Sequence, residues 1–172
     1  FPSASETEFA FARYLIESGS IPESVTIQVL TQARAKLIDR TFLALEGAKR
    51  AIVHVYNSTS PVQRQQVFRA SKKEITQIAV NGAETVQECA MRYPDTDWVF
   101  QYSPESFSGT EPEYAVEICD AVVNVWQPQH GREVIINLPA TVEMTTPNIF
   151  ADQIEYFSRN IAMRNHLRIS LH

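Results

Sequence analysis

Hydrophobic positions along this chain follow two rhythms that alternate. Short runs rich in β-branched and aromatic residues, at Val25–Leu30, Arg50–Tyr56, Asp97–Tyr102, Val134–Ile136 and Leu167–Leu171, have the density of strands covered on both faces. Between them, apolar residues recur at helical spacing: Phe9, Ala12 and Ile16; Leu37, Ile38, Phe42 and Leu45; Ile75, Ile78, Ala79, Gly82, Val86 and Cys89; Tyr114, Ile118, Ala121, Val122 and Val125; and Phe150, Ile154, Phe157 and Ile161. Three pairs, Ser5/Glu8, Ser71/Glu74 and Thr110/Glu113, have the spacing of a capping box, and Thr146 with Pro147 opens the last helix. Gly19, Gly47 and Pro128 mark helix ends.

Strands and helices that alternate without a hairpin signal predict parallel βαβ units and an α/β fold. Two closures are open to such a pattern. A doubly wound nucleotide-binding sheet carries a glycine-rich turn after a strand, but this chain has only 5 Gly and neither a GxGxxG nor a Walker loop. A (β/α)8 barrel, with roughly 250 residues in its complete form, gathers its chemistry at the carboxyl ends of the strands. The strands here do run out into polar residues: Thr31 and Gln32; Asn57, Ser58 and Thr59; Ser103, Glu105 and Ser106; Asn137, Thr141 and Glu143; and His172. The barrel is therefore the expected architecture, with residues 1–172 a single partial domain of about five βα units whose outer strands have unpaired edges. Phe1–Ser5 reads as a loop that has just left a strand.

Composition narrows the function classes. With 44% hydrophobic and 20% charged residues the chain has an ordinary globular balance, and a net charge of −5 offers no basic face for nucleic acid. No apolar run reaches the ~20 residues of a membrane-crossing helix, so a cytoplasmic protein without membrane attachment is expected. Cys89 and Cys119 have no metal-site spacing and are expected to be reduced core residues.

Among the strand-end residues, Glu105 between Pro104 and Ser106 is the first candidate for acid–base chemistry, because a loop carboxylate at a barrel rim is better placed than a solvated one elsewhere. His54, inside an apolar strand, is either a core histidine bonded to backbone or a donor on a pocket floor. His172 by itself is weak grounds for a metal. The stretch Gln63–Arg69, QRQQVFR, is read as a solvated loop face in preference to a contact for phosphates.

The motifs FPSAS, TIQVLTQ, AIVHVYNSTS, QYSPESFSGTE, INLPATVEMTTPN and the terminal ISLH, in this order, resemble the 2-isopropylmalate synthase family across almost the whole chain. The most distinctive pair is NLPATVEMTTPN with YSPES. The resemblance implies a (β/α)8 catalytic barrel of which this chain supplies strands three to seven, the first two strands, the last unit and a leucine-sensing regulatory region lying outside it. It implies condensation of acetyl-CoA with 3-methyl-2-oxobutanoate, the first committed step of leucine biosynthesis, with a divalent cation (Mg, Mn or Zn), in a full-length protein that is a homodimer. It also implies roles: His172 as a metal ligand, Thr141 on the oxo-acid carboxylate, Glu105 in the acid–base network, Ser103 and His54 lining the pocket, and Leu30 shaping the space for the isopropyl group. The metal aspartate and second metal histidine of the family are not among these residues, so the segment alone is expected to be inactive.

Two other readings compete. Homocitrate and citramalate synthases share the barrel and differ in the oxo acid, and Leu30 and His54 are the discriminating positions, since a longer acidic substrate needs a cationic partner. A stand-alone α/β domain that uses the polar rim for a small ligand is the alternative outside the enzymes.

Overall fold

The computed structural model describes residues 1–172. It contains α1 (Glu6–Glu17), β1 (Ile27–Gln32), α2 (Ala35–Leu45), β2 (Arg50–Ser58), α3 (Lys72–Arg92), β3 (Asp97–Glu105), α4 (Pro112–Trp126), β4 (Val134–Leu138), α5 (Pro147–Asn160) and β5 (Leu167–Leu171). The five strands form one parallel sheet in sequence order, β1-β2-β3-β4-β5, so each βα unit is laid beside the last. β1 and β5 each pair on one side only, as the expected open edges require.

Strand alternation divides the sheet into two faces. Ala51, Val53 and Val55 of β2, Tyr102 of β3 and Val134, Ile136 and Leu138 of β4 join the core, packing with residues of α2 to α5 such as Phe42, Ile75, Val86, Ile118, Val122 and Phe157. The other face carries Leu30, His54, Gln101, Ser103 and Asn137, and no helix covers it. α1 has no buried residue and rests against α2 at the periphery.

Strand boundaries differ from the hydrophobic runs in one consistent way: four strands continue into their polar ends, β4 taking in Asn137. β1 is displaced to Ile27–Gln32, β2 reaches Ser58 and β3 reaches Glu105. Backbone pairing, which is indifferent to side-chain polarity, keeps Tyr56, Asn57 and Ser58 in register with Ser103, Pro104 and Glu105. Pro104 is tolerated because β4 pairs with β3 only at Gln101 and Tyr102, leaving that side of the strand free.

The caps also differ in part. Ser71 and Glu74 form the complete reciprocal box of α3. Ser5 accepts from the Glu8 amide at 3.2 Å, giving half of one. The Thr110/Glu113 box is not made: the α4 N-cap is Glu111, and the Thr110 hydroxyl donates instead to the Ser106 carbonyl at 2.8 Å. Cys89 and Cys119 are free and buried, as expected.

Gly82 is placed where α3 crosses Ala33. A Cβ built on it would lie 2.9 Å from the Ala33 Cβ and 3.3 Å from its Cα. Helix propensity alone favours Gly82→Ala by about 1 kcal/mol, but overpacking against backbone costs on the order of 1–3 kcal/mol. The expected result is a net loss of about 1 kcal/mol, read as a lower urea midpoint at unchanged m-value; a raised midpoint would show that the crossing has room to relax.

Candidate active site

The uncovered face becomes polar toward the carboxyl ends of the strands. Leu30 is in register with His54, and His54 with Gln101, so the three lie side by side on this face. His54 is 6% exposed and is held by side chains, not by backbone. Its Nε2 is 2.6 Å from Ser103 Oγ, and its Nδ1 is 3.1 Å from Gln101 Nε2 and 3.4 Å from Gln28 Nε2. Asn137 Nδ2 donates to the same Ser103 Oγ at 2.8 Å, linking β2, β3 and β4 through one hydroxyl. Burial first, and the electrostatic influence of His172 second, hold the His54 pKa down to about 4, so the ring is neutral near pH 7.

Glu105 lies two residues beyond Ser103, its carboxylate accepting from the Ser58 hydroxyl. Its carbonyl is clamped by Thr59, which donates through its amide at 3.1 Å and its hydroxyl at 3.0 Å. The chain then turns sharply at Ser106, which has φ 62° and ψ 39°, a left-handed conformation costly for a residue with a Cβ. This turn directs the Ser106 amide to Thr141 Oγ1 at 3.1 Å. A second link, from the Ser108 hydroxyl to the Val142 carbonyl at 2.8 Å, braces the loop after β4 against the loop after β3. The end of β5 joins the same group, because the Ala140 amide donates to the His172 carbonyl at 2.7 Å.

The structure therefore brings Leu30, His54, Ser103, Glu105, Thr141 and His172 to one end of one face. Thr141 is exposed and reaches Glu105 only through the neighbouring Ser106 amide. Two rim candidates are corrected. Thr31 and Asn57 are in register with Val55 and Pro104 on the helix-covered face. Asn57 there accepts from the Tyr102 hydroxyl at 2.8 Å and donates to the Ile75 carbonyl, which makes it a buried strut. Glu143 stays in the exposed loop.

Three features escaped the reading of the strand ends. Gln28 and Gln101 lie below the rim, on the inward side of strands that looked merely apolar. Arg64 is the third: the stretch read as a solvated face forms a π-helical turn, Gln63–Phe68, in which Arg64 is 7% exposed. It forms a two-pronged ion pair with Glu111 at 2.7 and 2.9 Å, donates to the Thr59 carbonyl, and lies over the Tyr114 ring at 5.0 Å. This ties the loop after β2 to the start of α4, behind Glu105.

No three His, Cys, Asp or Glu side chains of the chain converge as a metal site. A cavity of about 780 Å³ lies at the opposite end of the sheet, beside Trp98, Trp126, Arg132 and Arg168 at the amino ends of β3 to β5, away from all the residues above. No helix is long and apolar enough to cross a membrane.

The HMGL-like family profile matches residues 1–172, the whole of the sequence. The chain belongs to the HMGL-like family. Its parallel βα units are accordingly a segment of a (β/α)8 barrel, and the uncovered face is the inner wall. Over all 172 residues the chain is 57% identical to the 2-isopropylmalate synthase of Acetoanaerobium sticklandii and 59% identical to those of Pseudomonas putida strain W619 and Pseudomonas savastanoi pv. phaseolicola. It spans 30% of the length of the first and 31% of each of the other two. A whole-length match to a barrel family leaves the stand-alone binding domain without support.

Proposed function

We propose that residues 1–172 form the central part of the catalytic barrel of a 2-isopropylmalate synthase, within a single catalytic domain whose remaining strands and regulatory region lie outside them. The observation that carries this reading is the 57–59% identity to enzymes of that name over all 172 residues. In the proposed reaction the methyl carbon of acetyl-CoA forms a bond to the keto carbon of 3-methyl-2-oxobutanoate. Water then cleaves the thioester, giving 2-isopropylmalate and CoA.

The residues divide the work by their chemistry. Leu30 offers an apolar surface to the isopropyl group. Thr141, with its oxygen already accepting from the Ser106 amide, has its hydroxyl hydrogen available for the oxo-acid carboxylate. Ser103 and neutral His54 line the same wall. Neither supplies the cation that a longer dicarboxylic substrate needs, which favours the isopropyl substrate over those of homocitrate synthases. Glu105 holds or moves a proton beside the keto group. A divalent cation, when bound in the full-length protein, would supply Lewis-acid polarisation of the oxo acid. No three His, Cys, Asp or Glu side chains converge here, so the residues present do not build that site; His172 would hold the cation together with ligands from outside 1–172. A cytoplasmic homodimer for the full-length protein belongs to the same proposal.

The test is release of free CoA by the full-length protein carrying this sequence, with 3-methyl-2-oxobutanoate, pyruvate or 2-oxoglutarate as acceptor. A preference for the first of roughly 10–200-fold in kcat/KM is expected. Faster turnover of pyruvate or 2-oxoglutarate would reassign the substrate, and no CoA release with any of them would overturn the enzyme.

A further inference from the structure

His54 is surrounded by groups whose donor and acceptor capacities leave one arrangement of protons. Gln101 Nε2 at 3.1 Å and Gln28 Nε2 at 3.4 Å both face its Nδ1. A carboxamide nitrogen only donates, so Nδ1 accepts, and a neutral imidazole then carries its one proton on Nε2. That N–H donates to Ser103 Oγ at 2.6 Å, where Asn137 Nδ2 also donates, at 2.8 Å. A hydroxyl oxygen has two lone pairs, and both are now engaged. The Ser103 hydrogen is left without an acceptor among these side chains.

We propose that Gln28 and Gln101 are positioning residues: by holding His54 in its Nε2–H tautomer they make the Ser103 hydroxyl an obligatory hydrogen-bond donor to a carbonyl or carboxylate oxygen on the inner wall. The identity of that oxygen as part of the 2-oxo acid rests on the function proposed above. The positions of the two glutamines make the arrangement selective. If a carboxamide oxygen faced Nδ1 instead, the tautomer would be Nδ1–H, Nε2 would accept from Ser103, and the hydroxyl would have nothing to offer a ligand. Gln101 is 3% exposed, so solvent does not compete for its amide.

The experiment combines spectroscopy with kinetics on the full-length protein carrying this sequence. With 15N-labelled histidine, long-range proton–nitrogen correlations near pH 7 are expected to assign Nε2–H to His54 without substrate present; an Nδ1–H or doubly protonated ring would overturn the proposal. Gln101→Glu places only acceptor oxygens at Nδ1. It is expected to move the proton to Nδ1 and to lower kcat/KM for the oxo acid by about 10–100-fold, the loss of one uncharged hydrogen bond to a charged ligand. Gln101→Leu, which leaves Gln28 as donor, is expected to keep the Nε2–H signature and lose less than 10-fold, so it separates tautomer control from packing. A Gln101→Glu protein with unchanged tautomer, or with an altered tautomer and kcat/KM within twofold, would sink the idea. If the wild-type protein shows the Nε2–H ring but condenses none of the oxo acids, the function reading fails while the positioning of Ser103 stands.

Discussion

Exchange of Glu105 for glutamine in the full-length protein is expected to lower kcat by about 100-fold or more, the scale on which a positioned acid or base contributes. The substitution preserves volume and the ability to accept from the Ser58 hydroxyl, and it leaves untouched the backbone clamp from Thr59. What it removes is the capacity to take and return a proton. The effect should therefore appear in kcat, with KM for the oxo acid changed by less than about threefold, because binding falls to Thr141 and Ser103. A variant with wild-type kcat would reduce Glu105 to a structural anchor for the turn at Ser106.

The largest stability effect is expected at Arg64. Arg64→Ala removes a buried guanidinium that holds Glu111 by two bonds, caps the Thr59 carbonyl and covers Tyr114. Breaking a fully buried ion pair costs about 3–5 kcal/mol; because Glu111 is 37% exposed and retains Lys72 at 3.2 Å, a loss of about 2 to 3 kcal/mol is expected here. The pH dependence supplies a second readout. Arg64, by its hydrogen bond first, pushes the Glu111 pKa down to about 2 from 4.5. A carboxylate depressed in the folded state contributes stability that is full above its unfolded pKa and is lost as pH falls through the folded one. The parent protein should thus lose this contribution between about pH 4.5 and 2, and the variant should show a smaller loss over that window. Equal urea midpoints at pH 7 would mean that Lys72 alone suffices.

Much of the molecule was legible from residue patterns because the signals were periodic. The runs around Val53, Tyr102 and Ile136 predicted parallel strands, and the stripes through Phe42, Val86, Ile118 and Phe157 predicted the helices over one face; all of these are in the core. The polar strand ends were also visible: Ser103 and Glu105 share the inner face with the deeper His54, and backbone and hydroxyl contacts tie the loop carrying Thr141 to Ser106 and to His172. Which of the others face inward was harder to read. Thr31 and Asn57 resembled rim residues, yet counting in twos from Val53 and Val55 already places Asn57 on the helix side. Arg64 offered no such count, because its partners Glu111 and Tyr114 are distant in sequence and its burial depends on a π-helical turn.

By itself, then, the order of residues determined the alternation of strands and helices, the barrel family and the polar residues gathered near the strand ends. These follow from local spacing and from motifs readable one segment at a time. Only the tertiary structure decided what each polar group touches. The protonation of His54 depends on carboxamides from β1 and β3, the hydroxyl of Ser103 on an amide from β4, and the placement of Thr141 on a strained turn after β3. Hydrogen bonds reach about 3 Å and are directional, so their partners are set by strand register and loop path across the sheet, which no stretch of sequence specifies alone.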